Sequence, residues 1–332
     1  VFNNVNLSKN RLSKDLYINN TKAISTPVLF LIFNRPDLTE RSFAIIKAAK
    51  PAKLFLAADG PRPDRVGEAE LCLQTRQIVL EHIDWDCELH TLIRENNLGC
   101  KNAVSSAITW LFENVEEGII LEDDICPDAT FFPFCEEMLI KYKNDVRVTQ
   151  ISGVNLRPQD IGEESYFFSK VGGIWGWATW KRVWEHYDVN INNWGEKKAR
   201  NNIKRFLGNK EWYNRIKGSF EMVYKKQLDT WDYQWVYTQM ELGGVAIIPK
   251  KNLIENVGFR ADATHTHSSN ELLESKMKIN SIDFPLIHPK EVISNDAYTA
   301  YYFSLFDKPQ RYHKKILKKI IAKINGGRRK AK

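Results

Sequence analysis

Through the first third of the chain, short apolar runs alternate with stretches whose apolar positions recur every three or four residues. Residues 27–33, Pro-Val-Leu-Phe-Leu-Ile-Phe, form the first run, and its length and bounds predict a strand. Pro36 suits the first turn of a helix, and Leu38, Ser42, Ile45, Ile46 and Ala49 continue it at helical spacing. The same reading predicts a strand over 54–58, a helix over 68–81, a strand over 88–93 and a helix over 101–112. A fourth strand, 118–121, then runs into three carboxylates, Glu122, Asp123 and Asp124. Strands alternating with helices of this length predict an α/β chain built on a parallel sheet with helices on both faces.

Ligands of such sheets bind beyond the carboxyl ends of the strands. The residues just past the four predicted ends are Asn34-Arg35, Asp59-Gly60, Arg94 and Glu122-Asp123-Asp124. All are polar or charged, and the sheet should bring them to one crevice. Three adjacent acids repel one another, so a cation is expected among them, and a divalent metal carrying a phosphate-bearing ligand fits. The set suits a nucleotide whose phosphates are held by a metal. No G-x-x-x-x-G-K-[ST] loop and no G-x-G-x-x-G after the first strand is present, which argues against a P-loop enzyme or a Rossmann dehydrogenase.

The second half changes character, with eight of the ten tryptophans falling between Trp175 and Trp235. Residues 172–180, Gly-Gly-Ile-Trp-Gly-Trp-Ala-Thr-Trp, read as a glycine-rich turn and a helix start. Trp177, Trp180 and Trp184 then lie on one aromatic face. Trp180 and Trp184 suit a packed core, whereas Trp175 and Trp177, beside glycines, are placed to border a cleft and stack on a sugar. Asp229 is a candidate N-cap for a helix reaching about Leu242, with Asp232 in its first turn, where the helix dipole favours a carboxylate. A strand is predicted over 245–249. The loop 256–267, with Gly258, Asp262, His265 and His267, could close over a site, and His265 is a candidate metal or phosphate ligand.

Charge separates the chain into two parts. The net charge is +7, yet eleven Lys and Arg residues lie in 308–332 without an acid, leaving 37 basic against 41 acidic residues elsewhere. A nucleic-acid-binding body, with positive charge spread over a face, is not expected. Residues 310–324 predict an amphipathic helix, with Ile316, Leu317, Ile320, Ile321 and Ile324 on one face and lysines around it. Such a helix reads either as a membrane-surface element or as a helix docked on the body with solvated lysines. Near anionic lipid each basic residue contributes on the order of 1 kcal/mol. The polar, Asn-rich residues 1–23 do not resemble a signal peptide. Five cysteines without metal-ligand spacing fit a reducing compartment.

Taken together, Asn34-Arg35-Pro36 after the first strand, Ala58-Asp59-Gly60 after the second and Glu122-Asp123-Asp124 after the fourth resemble the nucleotide-sugar half of GT-A-fold glycosyltransferases. Residues 173–177 (Gly-Ile-Trp-Gly-Trp) and Trp231-Asp232 continue the likeness, which spans roughly 26–267 and is to the N-acetylglucosaminyltransferase I group and related bacterial sugar transferases. The resemblance implies a GT-A, or nucleotide-diphospho-sugar transferase, fold with a mostly parallel central sheet, completed here by a C-terminal amphipathic helix. With the aperiodic N-terminus read as an arm over 1–24 and the basic tail over 308–332, one catalytic domain is expected over 25–307, its nucleotide-sugar half 25–153 and acceptor half 154–307.

The same resemblance implies a metal-dependent inverting transfer from a UDP-sugar to a glycan hydroxyl. Asp124 would ligate Mn²⁺ or Mg²⁺ bridging the diphosphate, with His265, or else His267, as a further ligand. Glu122 and Asp123 would contact the sugar or ribose, and Arg35 and Asp59 the nucleotide, Asp59 at the uracil edge. Asn34, Arg94, Lys101, Trp175 and Trp177 complete the expected nucleotide-sugar site. Asp232 would be the general base. Where the animal enzymes carry two adjacent aspartates after the tryptophan, this chain has Trp231-Asp232-Tyr233, and Asp229 is the alternative base. A cytoplasmic protein, peripheral on the inner face of the cytoplasmic membrane and acting on a lipid-linked glycan, is the extended expectation. A nucleotidyltransferase on the same sheet and a non-catalytic glycan-binding protein are the other readings.

Overall fold

The structure, a computed structural model, describes residues 23–157, 162–258 and 278–305. The expected arm falls mostly outside these residues. His265, His267 and the basic segment 308–332 with its amphipathic helix lie wholly outside them.

In the first half the alternation read from the sequence is present. Strand β1 (Val28–Ile32) is followed by helix α1 (Pro36–Ala49), β2 (Lys53–Ala58), α2 (Glu68–Leu80), β3 (Glu88–Ile93), α3 (Gly99–Asn114) and β4 (Glu117–Glu122). All five residues of β1 are buried. Pro36 opens α1, Asp37 lies in its first turn and Lys47 in its last, an order that suits the helix dipole. The second half adds β5 (Ile125–Pro127), α4 (Phe131–Tyr142), β6 (Val148–Ser152), β7 (Tyr166–Ser169), β8 (Trp177–Trp180) and the short α5 (Lys181–Trp184). Helices α6 (Lys197–Leu207), α7 (Lys210–Tyr224) and α8 (Asp232–Leu242) follow, then β9 (Val245–Pro249), β10 (Ile254–Asn256) and α9 (Asp296–Leu305).

Eight strands form one sheet in the order β3-β2-β1-β4-β8-β6-β9-β7, while β5 and β10 pair separately. β3, β2, β1 and β4 are parallel neighbours, as are β6 and β9. β8 and β7 run antiparallel to theirs. This mostly parallel sheet flanked by helices is consistent with the expected nucleotide-diphospho-sugar transferase fold.

The tryptophan segment corrects an expectation. Residues 177–180 are a strand inserted between β4 and β6, not the start of a helix, and only Lys181–Trp184 is helical. Strand alternation therefore sends Trp177 and Trp180 to opposite faces of the sheet. Trp177 packs against Trp184, Trp231 and Trp235, with ring centroids 6.4, 6.0 and 5.0 Å apart. Trp180 instead donates from Nε1 to the carbonyl of Leu139 in α4 at 3.2 Å. Helices α8 and α4 thus cover opposite faces. Trp180 and Trp184 are buried, as a core role requires.

Helix α8 joins two cores. Its Trp235 belongs to the main sheet core, and its Tyr237 and Met240 to a second cluster formed with α6, α7 and α9. Buried Gln150 of β6 accepts from Trp235 Nε1 at 3.2 Å and from Gln239 Nε2 at 2.7 Å. The N-terminus of α8, carrying Asp232, is consequently placed by packing on the sheet.

Candidate active site

Parallel pairing aligns the strand ends. Ile32 stands opposite Ala58, Leu31 opposite Glu122, and Ala58 opposite Ile93. The loops that follow, with Asn34-Arg35, Asp59-Gly60, Arg94 and Glu122-Asp123-Asp124, therefore leave one edge of the sheet side by side.

Arg35 organises the acidic end of β4. Its guanidinium binds both oxygens of Asp123, with Nε to Oδ2 at 3.3 Å and a second bond from Nη2 to Oδ1, and its Nη1 reaches Asp124 Oδ2 at 2.9 Å. Burial works against the arginine charge, but Asp123 and Asp124 outweigh it and hold the guanidinium well above its ordinary value. Asp123 is 2% exposed. Burial, then the nearby charge of Asp124, pushes the Glu122 carboxyl up to about 8 against the pull of Arg35. Asp124 is more open, its side chain 16% exposed. The chain returns to it from β10: the Val257 N–H donates to the Asp124 carbonyl at 2.9 Å. A side chain at Gly258 would collide with the Asp124 carboxylate in its present place, so glycine lets the chain pass close to it.

Asp59 turns inward. Its carboxylate accepts from the N–H groups of Gly60 (3.0 Å), Leu98 (3.0 Å) and Gly99 (3.2 Å) and from Asn97 Nδ2 (2.9 Å). Gly99 begins α3, so Asp59 satisfies donors at that helix terminus from a distant strand end. Gly60 lies so close to the Asn96 backbone that a Cβ would overlap it. Asp59→Ala is expected to lower stability by about 1–2 kcal/mol, the range for losing a helix cap. Urea denaturation reads this directly, and a loss below about 0.5 kcal/mol would show that the loop has other support.

The other expected residues divide. Asn34 Nδ2 donates to Glu68 at 2.9 Å, and the buried Glu68 also accepts from Arg62. This pairing links the first two loops and was not read from the sequence. Arg94 binds Ser106 Oγ at 2.7 Å, and Lys101 Nζ reaches Asn190 Oδ1 at 3.4 Å. Trp175 is half-buried against the core. Trp177, 1% exposed and enclosed by tryptophans, has no face for a cleft, which corrects its expected place beside a sugar.

Asp232 approaches from the second half. Its Oδ1 accepts from the Tyr233 N–H at 2.7 Å and from the Thr230 hydroxyl. No hydrogen bond from the described residues reaches Oδ2. Asp229 does not cap α8, which begins at Asp232 without a side-chain cap. It is exposed, and its Oδ2 would lie 4.0 Å from a Cβ placed on Gly99. In the first turn of α3, burial, then the charges of Glu122, Asp232, Asp229 and Asp59, push the Cys100 thiol up to about 12. Carboxylates from the end of β4, from the loops at Asp59 and Asp229 and from the start of α8 thus all bear on this thiol. Among the described residues no group of three or more His, Cys, Asp or Glu side chains could by itself hold a metal ion.

No family model matches the chain, and no curated protein matches it. Among solved structures it is similar to HddC from Yersinia pseudotuberculosis, at 11% identity over 48% of this chain and 80% of that one, with a TM-score of 0.29. It is also similar to the inositol-1-phosphate CTP transferase from T. maritima, at 11% identity over 78% of this chain and 100% of that one, TM-score 0.37. UDP-glucose pyrophosphorylase complexed with UDP-glucose matches at 9% identity over 52% and 82%, TM-score 0.30. Likenesses this distant carry no argument about chemistry, which rests on the residues themselves. No helix among the described residues is long and apolar enough to cross a membrane.

Proposed function

We propose that the chain is an inverting glycosyltransferase that binds a UDP-sugar beyond β1, β2 and β4 and passes the sugar to a hydroxyl of a glycan acceptor. The observation that carries this reading is the packing of Trp231 and Trp235, which flank Asp232, on Trp177, whose strand partner is Ile120 of β4, two residues before Glu122. Asp232 acts on the charge of Glu122, its Oδ1 is anchored, and its Oδ2 has no partner among the described residues. A carboxylate held this way is oriented to take the proton of an attacking hydroxyl, which typically contributes about 10² to 10⁴-fold to rate. Sugar transfer develops positive charge on the ring and negative charge on the departing diphosphate. Glu122 would contact the sugar or ribose, with the buried Asp123 positioning Arg35, and Asn34, Arg35, Arg94 and Lys101 would contact the nucleotide and its phosphates. Asp59 would act at the base end of the nucleotide through the 96–99 loop that it holds. Trp175 is the tryptophan left to border the sugar.

The crevice is rich in carboxylates, so an anionic diphosphate needs a cation beside it. Asp124 fits Mn²⁺ or Mg²⁺, being a hard oxygen donor with solvent access. Ions of this kind commonly take one or two carboxylates and complete their shell with substrate phosphates and water. When bound, the ion stabilises the charge developing on the leaving diphosphate. His265, outside the described residues, is a further candidate ligand. The basic segment 308–332 supports an acceptor carried at a membrane surface, such as a lipid-linked glycan of a surface polysaccharide. The protein would then be cytoplasmic and peripheral on the inner face of the membrane.

A thermal-shift series with nucleotide sugars, Mn²⁺ and EDTA tests the donor. UDP-sugars are expected to raise the melting temperature by several degrees in Mn²⁺ and not in EDTA, as mass action requires of a ligand that binds only the folded state. Stabilisation by nucleoside triphosphates instead would point to nucleotidyl transfer. Stabilisation by free glycans alone would point to a binding protein.

A further inference from the structure

Asp232 also forms part of the wall of a cavity of about 150 Å³ enclosed by the 171–174 loop, α7, α8 and α9. Ile174, Ile216, Val236, Met240 and Phe303 give it apolar walls. Its arginine is engaged elsewhere: Arg215 donates to the Phe303 carbonyl at 3.2 Å and to Glu211 at 2.6 Å. Val236 follows Asp232 by one turn of α8, so an occupant touching Val236 lies beside the Asp232 carboxylate.

We propose that this cavity is an acceptor subsite, and that it takes a compact apolar group, aryl or branched aliphatic, attached close to the hydroxyl that Asp232 activates. This rests on the transferase reading above. An apolar cavity of about 150 Å³ accommodates a benzene-sized ligand, so the size suits one ring. A bare pyranose is the poorer occupant. It brings hydroxyls around its whole rim, and hydroxyls left without partners against apolar walls are costly to bury. An apolar group loses nothing there and gains from leaving water. The carboxylate at the wall supplies the acceptor that the adjoining hydroxyl needs. The selectivity of the enzyme would therefore lie in the substituent next to the reacting hydroxyl.

The test compares phenyl and methyl β-glycosides of glucose, galactose and N-acetylglucosamine by calorimetric titration into the full chain. For at least one sugar the phenyl glycoside is expected to bind at least tenfold more tightly than the methyl glycoside. Val236→Trp, which fills the cavity, is expected to remove that preference. Ile216→Ala, which enlarges it, is expected to shift the preference towards naphthyl glycosides, and it serves if the tryptophan variant does not fold. Equal or absent binding of the two series overturns the proposal, as does a preference untouched by both variants. The donor screen separates the two readings. Stabilisation by UDP-sugars without an aryl preference leaves the transferase and removes the subsite, and an aryl preference without any nucleotide effect leaves an aryl-binding cavity and overturns its role as an acceptor subsite together with the transferase.

Discussion

Asp232→Asn is expected to cut sugar transfer by about 10² to 10⁴-fold, the usual contribution of a positioned general base, while leaving donor binding in place. Asparagine keeps the shape of aspartate, and its carbonyl oxygen can still accept from the Tyr233 N–H and the Thr230 hydroxyl, as Oδ1 does now. The amide nitrogen would then stand where Oδ2 stands. That nitrogen cannot accept a proton, so the variant keeps the shape of the side chain and loses its charge and its basicity. The effect should fall on kcat, with UDP-sugar stabilisation in the thermal-shift series unchanged. Asp229→Asn is the control, because Asp229 is exposed and lies beside the start of α3. A loss of less than about threefold is expected there. If the two variants exchange effects, Asp229 is the base. If neither slows transfer, neither Asp232 nor Asp229 acts as base.

The sequence made the row of strand ends legible because each of the first four strands is bounded by unambiguous polar or turn residues. What the side chains do once aligned was less visible, since their partners are far apart in the chain. Asp59 read as a nucleotide contact, yet its carboxylate is occupied by amides of Asn97, Leu98 and Gly99 some forty residues on. Arg35 and Asp123 each read as facing a ligand, whereas they are bound to each other. The tryptophan segment misled for a local reason. Spacings of three and four at Trp177, Trp180 and Trp184 imitate a helical face, but the first two belong to a strand and only the last to the helical turn after it. The strand passes straight into the helix at Lys181, with no proline or glycine to mark the change. Asp232 stood out in the sequence beside Trp231, but what places it, the burial of Trp231 and Trp235 that fixes α8 on the sheet, depends on Trp177 some fifty residues earlier.

Arg35→Leu is expected to destabilise the fold by about 3 kcal/mol, at the low end of the range for removing one partner of a buried ion pair. The low end applies because the Arg35 side chain is 28% exposed and solvent can reach part of the pair. The cost would come from Asp123, whose side chain is 3% exposed and whose two oxygens both bind the guanidinium. Without Arg35 that carboxylate must stay buried unpaired or take up a proton, and either is unfavourable. A urea midpoint that falls without a change of slope would identify a loss of stability and not a change in compactness. Adding Asp123→Asn separates charge from packing. If unpaired charge is the cause, the double variant should recover part of the loss, because an amide costs less to bury than a carboxylate. If the lost arginine stem is the cause, the two substitutions should add. A loss below about 1 kcal/mol would mean that Asp123 is held by its backbone, where Ser42 Oγ donates to its carbonyl at 2.8 Å. The positions of Glu122 and Asp124 would then be set by β4 alone.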